Sequence, residues 1–161
     1  MGDRVSKSSV LSDPQVIELL NREFNAAELN VTDRGWPTWL EALAPWKAIY
    51  DSSPEARKAF TNMAVVDADG TFLLGSGDTG KIGYTKATFS MNYDPPRYFK
   101  MLQTTFDRNN RLEAIRKNEK QSAEEKAAAL ATLRQEVDQD LAHVFKSEPM
   151  FLKQVQVLRK Q

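Results

Sequence analysis

Cysteine is absent from the 161 residues of this chain, and histidine occurs once, as His143. Without thiols, the chain can form no disulfide bond, thiolate metal site, cysteine nucleophile or redox pair of its own. A single histidine makes a His-rich zinc site or a Ser-His-Asp triad nearly impossible within one chain. The residues therefore predict no metal, no cofactor and no thiol chemistry.

An excess of charge and a long apolar run are missing too. The 22 basic residues balance 22 acidic ones, which disfavours nucleic acid and anionic membranes as partners. No apolar run approaches the roughly 18 residues of a membrane span. The polar start, 1–9, lacks the apolar core of a signal peptide. We expect no direct membrane insertion, and a cytoplasmic location by default or a periplasmic one if the N-terminus has been processed.

Glycine is absent from the second half of the chain. All seven glycines lie at or before Gly83, so turns and strands should be concentrated before that point and helices after it. Apolar residues make up 41% of the chain, which is enough for a hydrophobic core. The sequence predicts a mixed α/β (α+β) fold.

The first half offers clear boundary signals. Asp13 is a good N-cap and is followed by a proline, so a helix is predicted over 14–24. A strand is predicted over 26–31 and a second helical region over 38–50. Two apolar runs, 63–66 and 71–74, lie at hairpin distance and predict a β-hairpin.

The second half is predicted to be helical. Pro95-Pro96 begins a long helix that Lys120-Gln121 ends, and Ser122 with Glu125 forms a capping box for the next helix. A last amphipathic helix is predicted from Pro149 to about Lys160. The charged residues from 108 to 140 mix both signs and predict a solvated helix surface.

Two short motifs are explained by turns and loops. The string 75–81 matches the Gly-x4-Gly-Lys part of a phosphate-binding loop, but Ile82 replaces the magnesium-binding Ser or Thr and no helix start follows. Asp67-Ala-Asp-Gly70 has the alternating carboxylates of a calcium loop without its closing acid. We interpret the first as a loop and the second as the hairpin turn.

Four stretches of the chain resemble bacterial thioredoxin-like proteins. Leu11–Phe24 is similar to the helix after the active site, and Ala27–Val31 to the next central strand. Ala64–Gly75 looks like the hairpin, and Asn92–Leu102 like the entry to the last helix. The resemblance covers residue 5 to about residue 108.

This sequence departs from that family at its functional positions. The family's Cys-x-x-Cys would fall at or just before Met1–Asp3, and its cis-proline near Thr61 or Asn62, where neither is present. The resemblance implies an incomplete thioredoxin-like sheet, without the first strand and active-site motif, over 1–108. An amphipathic helical extension follows over 109–161.

We therefore expect a redox-inactive interaction or structural protein, an accessory subunit of a larger assembly. Its protein partner would be found in a hetero-complex or a homo-oligomer. Large apolar side chains are the interface candidates, and the same residues could instead belong to the core. They are Trp36, Trp39, Trp46, Phe151, Leu152, Val155 and Leu158.

Three alternatives remain open at this point. The chain could bind a small molecule or peptide in a groove beside the hairpin, lined by Thr61, Asn62 and the 76–90 loop. It could be a fragment of a longer thiol-disulfide oxidoreductase. It could also be an enzyme that uses carboxylates, for which the candidates are Asp33, Asp67 and Asp69.

Overall fold

The computed structural model describes residues 10–27, 35–39, 41–44, 47, 51, 64–76 and 95–144. Within these residues it contains three α-helices and a two-stranded antiparallel sheet. In chain order they are α1 (Pro14–Glu23), β1 (Ala64–Val66), β2 (Leu73–Ser76), α2 (Pro95–Lys117) and α3 (Ala123–Val144), with short 3₁₀ helices at Val10–Ser12 and Glu41–Leu43. The mixed α+β class is confirmed, and the thioredoxin-like arrangement stays a prediction.

Helix α1 begins at the predicted cap. The Oδ1 atom of Asp13 accepts hydrogen bonds from the backbone N–H groups of Gln15 and Val16, at 3.0 and 3.1 Å. These bonds satisfy two of the donors that a helix leaves free at its start. The helix buries Val16 and Leu19 against α2.

The hairpin is confirmed, with a later second strand than predicted. β1 pairs with β2 through Val65 opposite Gly75 and Val66 opposite Leu73, and the register shifts between these pairs. The start of the predicted strand 71–74 is wrong, because the backbone N–H groups of Thr71 and Phe72 donate to the Asp67 carboxylate. Those two amides are therefore part of the turn, and the strand begins only at Leu73.

Helices α2 and α3 form an antiparallel pair joined by residues 118–122. The predicted capping box is confirmed: Ser122 N–H donates to Glu125 Oε2 at 2.8 Å, and Glu125 N–H donates to Ser122 Oγ at 3.1 Å. The Nζ of Lys126 also donates to the backbone carbonyl of Arg116 at 3.1 Å. A lysine of α3 thereby satisfies one of the free carbonyl groups at the end of α2.

The buried apolar side chains form two clusters, and α2 contributes to both. The larger contains Leu43, Phe72, Leu73, Leu74, Leu112, Leu133 and Val137. The smaller contains Val16, Leu19, Tyr98 and Leu102. Burial raises the pKa of the Tyr98 hydroxyl to about 12. Residue 108, the predicted boundary between 1–108 and 109–161, lies inside α2, and the division stays a prediction.

Candidate interaction surface

Two of the candidate tryptophans lie in a short segment that is fixed at both ends. Trp36 is half-buried and packs against the larger cluster, and Leu43 belongs to that cluster. Between them, the Ala42 N–H donates to the Gly70 carbonyl in the hairpin turn at 3.0 Å. Trp39 lies between these anchors with 63% of its surface exposed. The segment therefore holds a large aromatic side chain in water on an anchored backbone.

The two residues differ in exposure: Trp36 is half-buried against the larger cluster, whereas Trp39 is solvent-exposed. That either of them contacts a partner stays a prediction. The other candidates lie outside the described residues. They are Trp46, Phe151, Leu152, Val155, Leu158, Thr61 and Asn62.

A buried carboxylate fixes the hairpin turn below this segment. The side chain of Asp67 is fully buried. Its Oδ1 accepts the N–H groups of Thr71 and Phe72 at 2.8 and 2.9 Å. Its Oδ2 accepts the Thr71 hydroxyl at 3.1 Å and Nη2 of Arg116 at 2.7 Å. Both carboxylate oxygens are engaged, and the turn is joined to α2 by an ion pair.

The surroundings of Asp67 favour its ionised form. Burial by itself raises the pKa of this carboxyl, but hydrogen bonds from Phe72, Arg116 and Thr71 outweigh burial and lower it below its ordinary value. Arg116 also faces the exposed carboxylate of Asp69 at 3.6 Å. The guanidinium therefore serves two carboxylates of the turn, one buried and one in water.

A second arginine, Arg108 of α2, joins this helix to β2 and α3. Nη1 of Arg108 donates to the Leu74 carbonyl at 3.0 Å. Its Nη2 donates to the Asp140 carboxylate and, at 3.5 Å, to the Glu136 carbonyl. Only 8% of the Arg108 side chain is exposed. The prediction of a solvated surface is therefore wrong at this residue, because its guanidinium is buried against two backbone carbonyls and reaches an exposed carboxylate, Asp140, only at its edge.

One helical turn further along α2, Arg111 binds Glu136 with two hydrogen bonds of 2.6 and 2.7 Å. These bonds lower the pKa of the Glu136 carboxyl, with Coulomb attraction in the same direction. Arg111 is half-exposed, so the ion pair of Arg111 with Glu136 is more solvated than the contacts of the buried Arg108.

Sequence reasoning missed Arg108 and Arg116 as residues that organise the structure. A signal was present: both fall on the helical face that carries Tyr98, Thr105 and Leu112, all three buried. A charged residue within an apolar stripe must be matched by a partner, because burying an unpaired charge is costly. The sequence did not show which carboxylates would supply the match.

Comparisons with protein-family models, with curated proteins and with solved structures find no match for this chain. Among the residues that the structure describes, no three acidic or histidine side chains are grouped so that they could hold a metal ion. Of the helices it describes, none is long and apolar enough to cross a membrane.

Proposed function

We propose that this chain is a redox-inactive interaction or structural protein, an accessory subunit of a larger assembly, built on the thioredoxin-like scaffold that its sequence resembles. The exposed side chain of Trp39 supports this proposal most directly. Tryptophan is enriched among the residues that dominate binding energy at protein interfaces. Leaving most of a tryptophan in water forgoes the stabilisation that burial in a partner would supply.

The anchoring of the segment adds to this argument. Binding costs free energy when loops and side chains must be ordered at the interface. Here residues on both sides of Trp39 are already held: Trp36 packs against the larger cluster, Leu43 belongs to that cluster, and the Ala42 N–H donates to the hairpin turn. Binding of a partner that covers Trp39 therefore costs less conformational entropy.

The proposal is tested by native mass spectrometry on the protein from its own source, expressed at its natural level as wild type or as Trp39→Ala. We expect a defined complex for the wild type and at least tenfold weaker association for the variant. Ile17→Ala is the matched control, because Ile17 is also a large apolar side chain in water, 40% exposed, on α1. This control should retain the complex.

The melting temperature separates loss of binding from loss of folding. Trp39→Ala should melt within about 2 °C of the wild type, since an exposed side chain contributes little to stability. If Trp39→Ala keeps the complex, or if the wild type is a free monomer, the proposed function is wrong. An intact mass above 18.2 kDa with added cysteine-containing sequence would instead support the fragment of an oxidoreductase.

A further inference from the structure

An open groove follows the seam between α1 and α2. It consists of two adjoining depressions of about 380 and 290 Å³ that share Gln103. The first lies where both helices begin and the second where α1 ends, so the two helices run side by side in the same direction. Phe99 lines the first depression and Phe106 the second, and both rings are half-buried. Aromatic surface is therefore still accessible along this seam.

The residues that α2 presents here recur every seven positions. Seven residues make almost two helical turns, so residues seven apart lie nearly in line along the helix. One row holds Phe99 and Phe106 and lies towards α1, because the Phe106 ring contacts Phe24 just after that helix, at 6.5 Å between ring centroids. The residues that follow them, Lys100 and Asp107, are exposed and lie about 100° further round the helix. The face therefore carries an aromatic row beside a charged row.

Lys100 and Asp107 are the charges that this face leaves for a partner. Among the described residues, neither of them forms an ion pair. The other charged groups at the groove are engaged within the chain: Arg22 binds Glu23 at 2.6 Å, and Oδ1 of Asp13 accepts two backbone N–H groups at the start of α1. Lys100 lies in the first depression and Asp107 in the second. The two halves of the groove therefore offer charges of opposite sign.

The two rows are complementary to themselves when two copies face each other with their α2 helices antiparallel. A two-fold axis in the plane of contact, across α2 at the level of Gln103, places each row opposite the same row of the other copy. Residues before Gln103 then face residues after it. Lys100 comes within one residue, about 1.5 Å along the helix, of the level of the partner's Asp107. Phe99 comes equally close to the level of the partner's Phe106.

The helix dipoles add to this match. The dipoles of α1 and α2 point the same way within one copy, and those of the second copy point the other way. The positive end of each helix pair therefore faces the negative end of the other. The two grooves meet at the centre, where four helices surround the aromatic rows as in an antiparallel four-helix bundle.

We propose that this face of α1 and α2 is the contact surface of a homodimer, in which a second copy of the chain closes the groove with its α2 antiparallel. Two ion pairs between Lys100 and Asp107 flank the contact, and the rings of Phe99 and Phe106 from both copies fill its centre. About three turns of α2 take part in each copy. An interface of this size is small and weak, so we expect a dissociation constant in the micromolar range. The contact does not use Trp39 and is independent of the function proposed for it.

Exchanging the two charges tests the contact. The dissociation constant of the purified full chain is measured by sedimentation velocity at concentrations up to about 1 mM. Lys100→Glu and Asp107→Lys should each raise it at least tenfold, because each replaces two attractions per dimer by two repulsions. The double exchange restores opposite charges and should bring the constant back to within about threefold of wild type. Lys120→Glu, the same charge reversal at an exposed position after α2, is the matched control and should change nothing.

A cysteine at the two-fold axis gives a second test, because the chain has none of its own. Helices that face each other with axes about 8–10 Å apart bring Cα atoms on their contact sides within the roughly 7 Å that a disulfide bond allows. With diamide as the oxidant, Gln103→Cys should form a disulfide-linked dimer at least tenfold faster than Gln135→Cys, which lies at an exposed position of α3.

Four results would overturn the homodimer. They are a wild type that stays monomeric at about 1 mM, a dimer that Lys100→Glu leaves intact, a dimer that the double exchange does not restore, and equal cross-linking rates for the two cysteine variants. Trp39→Ala should leave the dissociation constant unchanged. Loss of the dimer in that variant would place the contact at Trp39, which overturns this proposal and leaves the function proposed for Trp39 standing.

Discussion

Replacing Asp67 by asparagine tests whether the buried carboxylate holds the hairpin on α2. The amide oxygen can still accept the N–H groups of Thr71 and Phe72, but the amide nitrogen now faces the guanidinium of Arg116, which lies 2.7 Å from the carboxylate. A hydrogen bond between charged groups contributes about 1.5–3 kcal/mol. Because about a third of Arg116 is exposed and can be rehydrated, we expect a loss near the lower end, about 1.5 kcal/mol.

The assay is urea unfolding at pH 7, followed by circular dichroism. With a slope of about 1.5 kcal/mol per molar urea, a loss of this size lowers the midpoint by about 1 M. Asp67→Ala should cost about 3–4 kcal/mol, because it also leaves the buried N–H of Phe72 without its acceptor. The matched control is Asp69→Asn: Asp69 faces the same arginine but is mostly exposed, so its cost should stay below about 0.5 kcal/mol.

The pH dependence of this difference gives an independent check. The folded state lowers the pKa of Asp67 below its ordinary value of 3.8, so the unfolded chain binds the proton more readily. The stabilisation by the ionised Asp67 is complete when the pH lies above the pKa that this carboxyl has in the unfolded chain. It is lost as the pH falls through the lower pKa that the carboxyl has in the folded protein. The gap between wild type and Asp67→Asn should therefore be constant from pH 7 to 5 and shrink below about pH 4. A gap that grows in acid, or a control variant that costs as much, would refute the reasoning.

Three further variants probe the packing of the helices. In Gly75→Ala, the added methyl group would lie 2.5 Å from Cγ2 of Thr105. We expect the free energy of unfolding, measured in urea, to fall by about 1–3 kcal/mol. Adding Thr105→Ser, which removes Cγ2, should largely restore it. Arg108→Met should cost about 2–4 kcal/mol because it strands a buried carbonyl, whereas Arg111→Met, at a half-exposed pair, should cost less than about 1 kcal/mol by the same assay. Ser122→Ala removes the side-chain oxygen that caps α3, and the free energy of unfolding should fall by about 1 kcal/mol in thermal unfolding.

Each of these has a result that contradicts it. A double variant of Gly75 and Thr105 no more stable than Gly75→Ala would show that the close approach is not the cause. Equal costs for Arg108→Met and Arg111→Met would show that burial does not decide the worth of the arginine contacts. An unchanged Ser122→Ala would mean that the cap of α3 is dispensable.

Local signals in the sequence were reliable where one residue type has one physical task. The cap at Asp13, the turn before Gly70 and the reciprocal pair of Ser122 and Glu125 could all be predicted, since each satisfies backbone groups within a few residues. The start of β2 was missed for the same kind of reason, because the reach of the Asp67 carboxylate extends the turn.

Long-range pairing was beyond the sequence. Arg116 and Asp67 are 49 residues apart, and neither helical periodicity nor turn chemistry connects them. The sequence also does not predict which tryptophan is exposed. Trp36 and Trp39 are only three residues apart, yet Trp36 packs against the core and Trp39 is exposed. Only the position of the backbone relative to the hairpin distinguishes them.

The short connection between α2 and α3 has a consequence for the order of folding. These helices are separated by five residues, 118–122, whereas the contacts from α2 to the hairpin join residues 34 and 49 positions apart. Closing a short loop loses less chain entropy, and local contacts form faster than distant ones. The helical pair should therefore assemble first, with Leu112, Leu133 and Val137 still open to water. The hairpin docks later and covers these side chains. The time that it needs to dock is therefore the time during which the folding chain exposes this apolar surface and is most prone to aggregate.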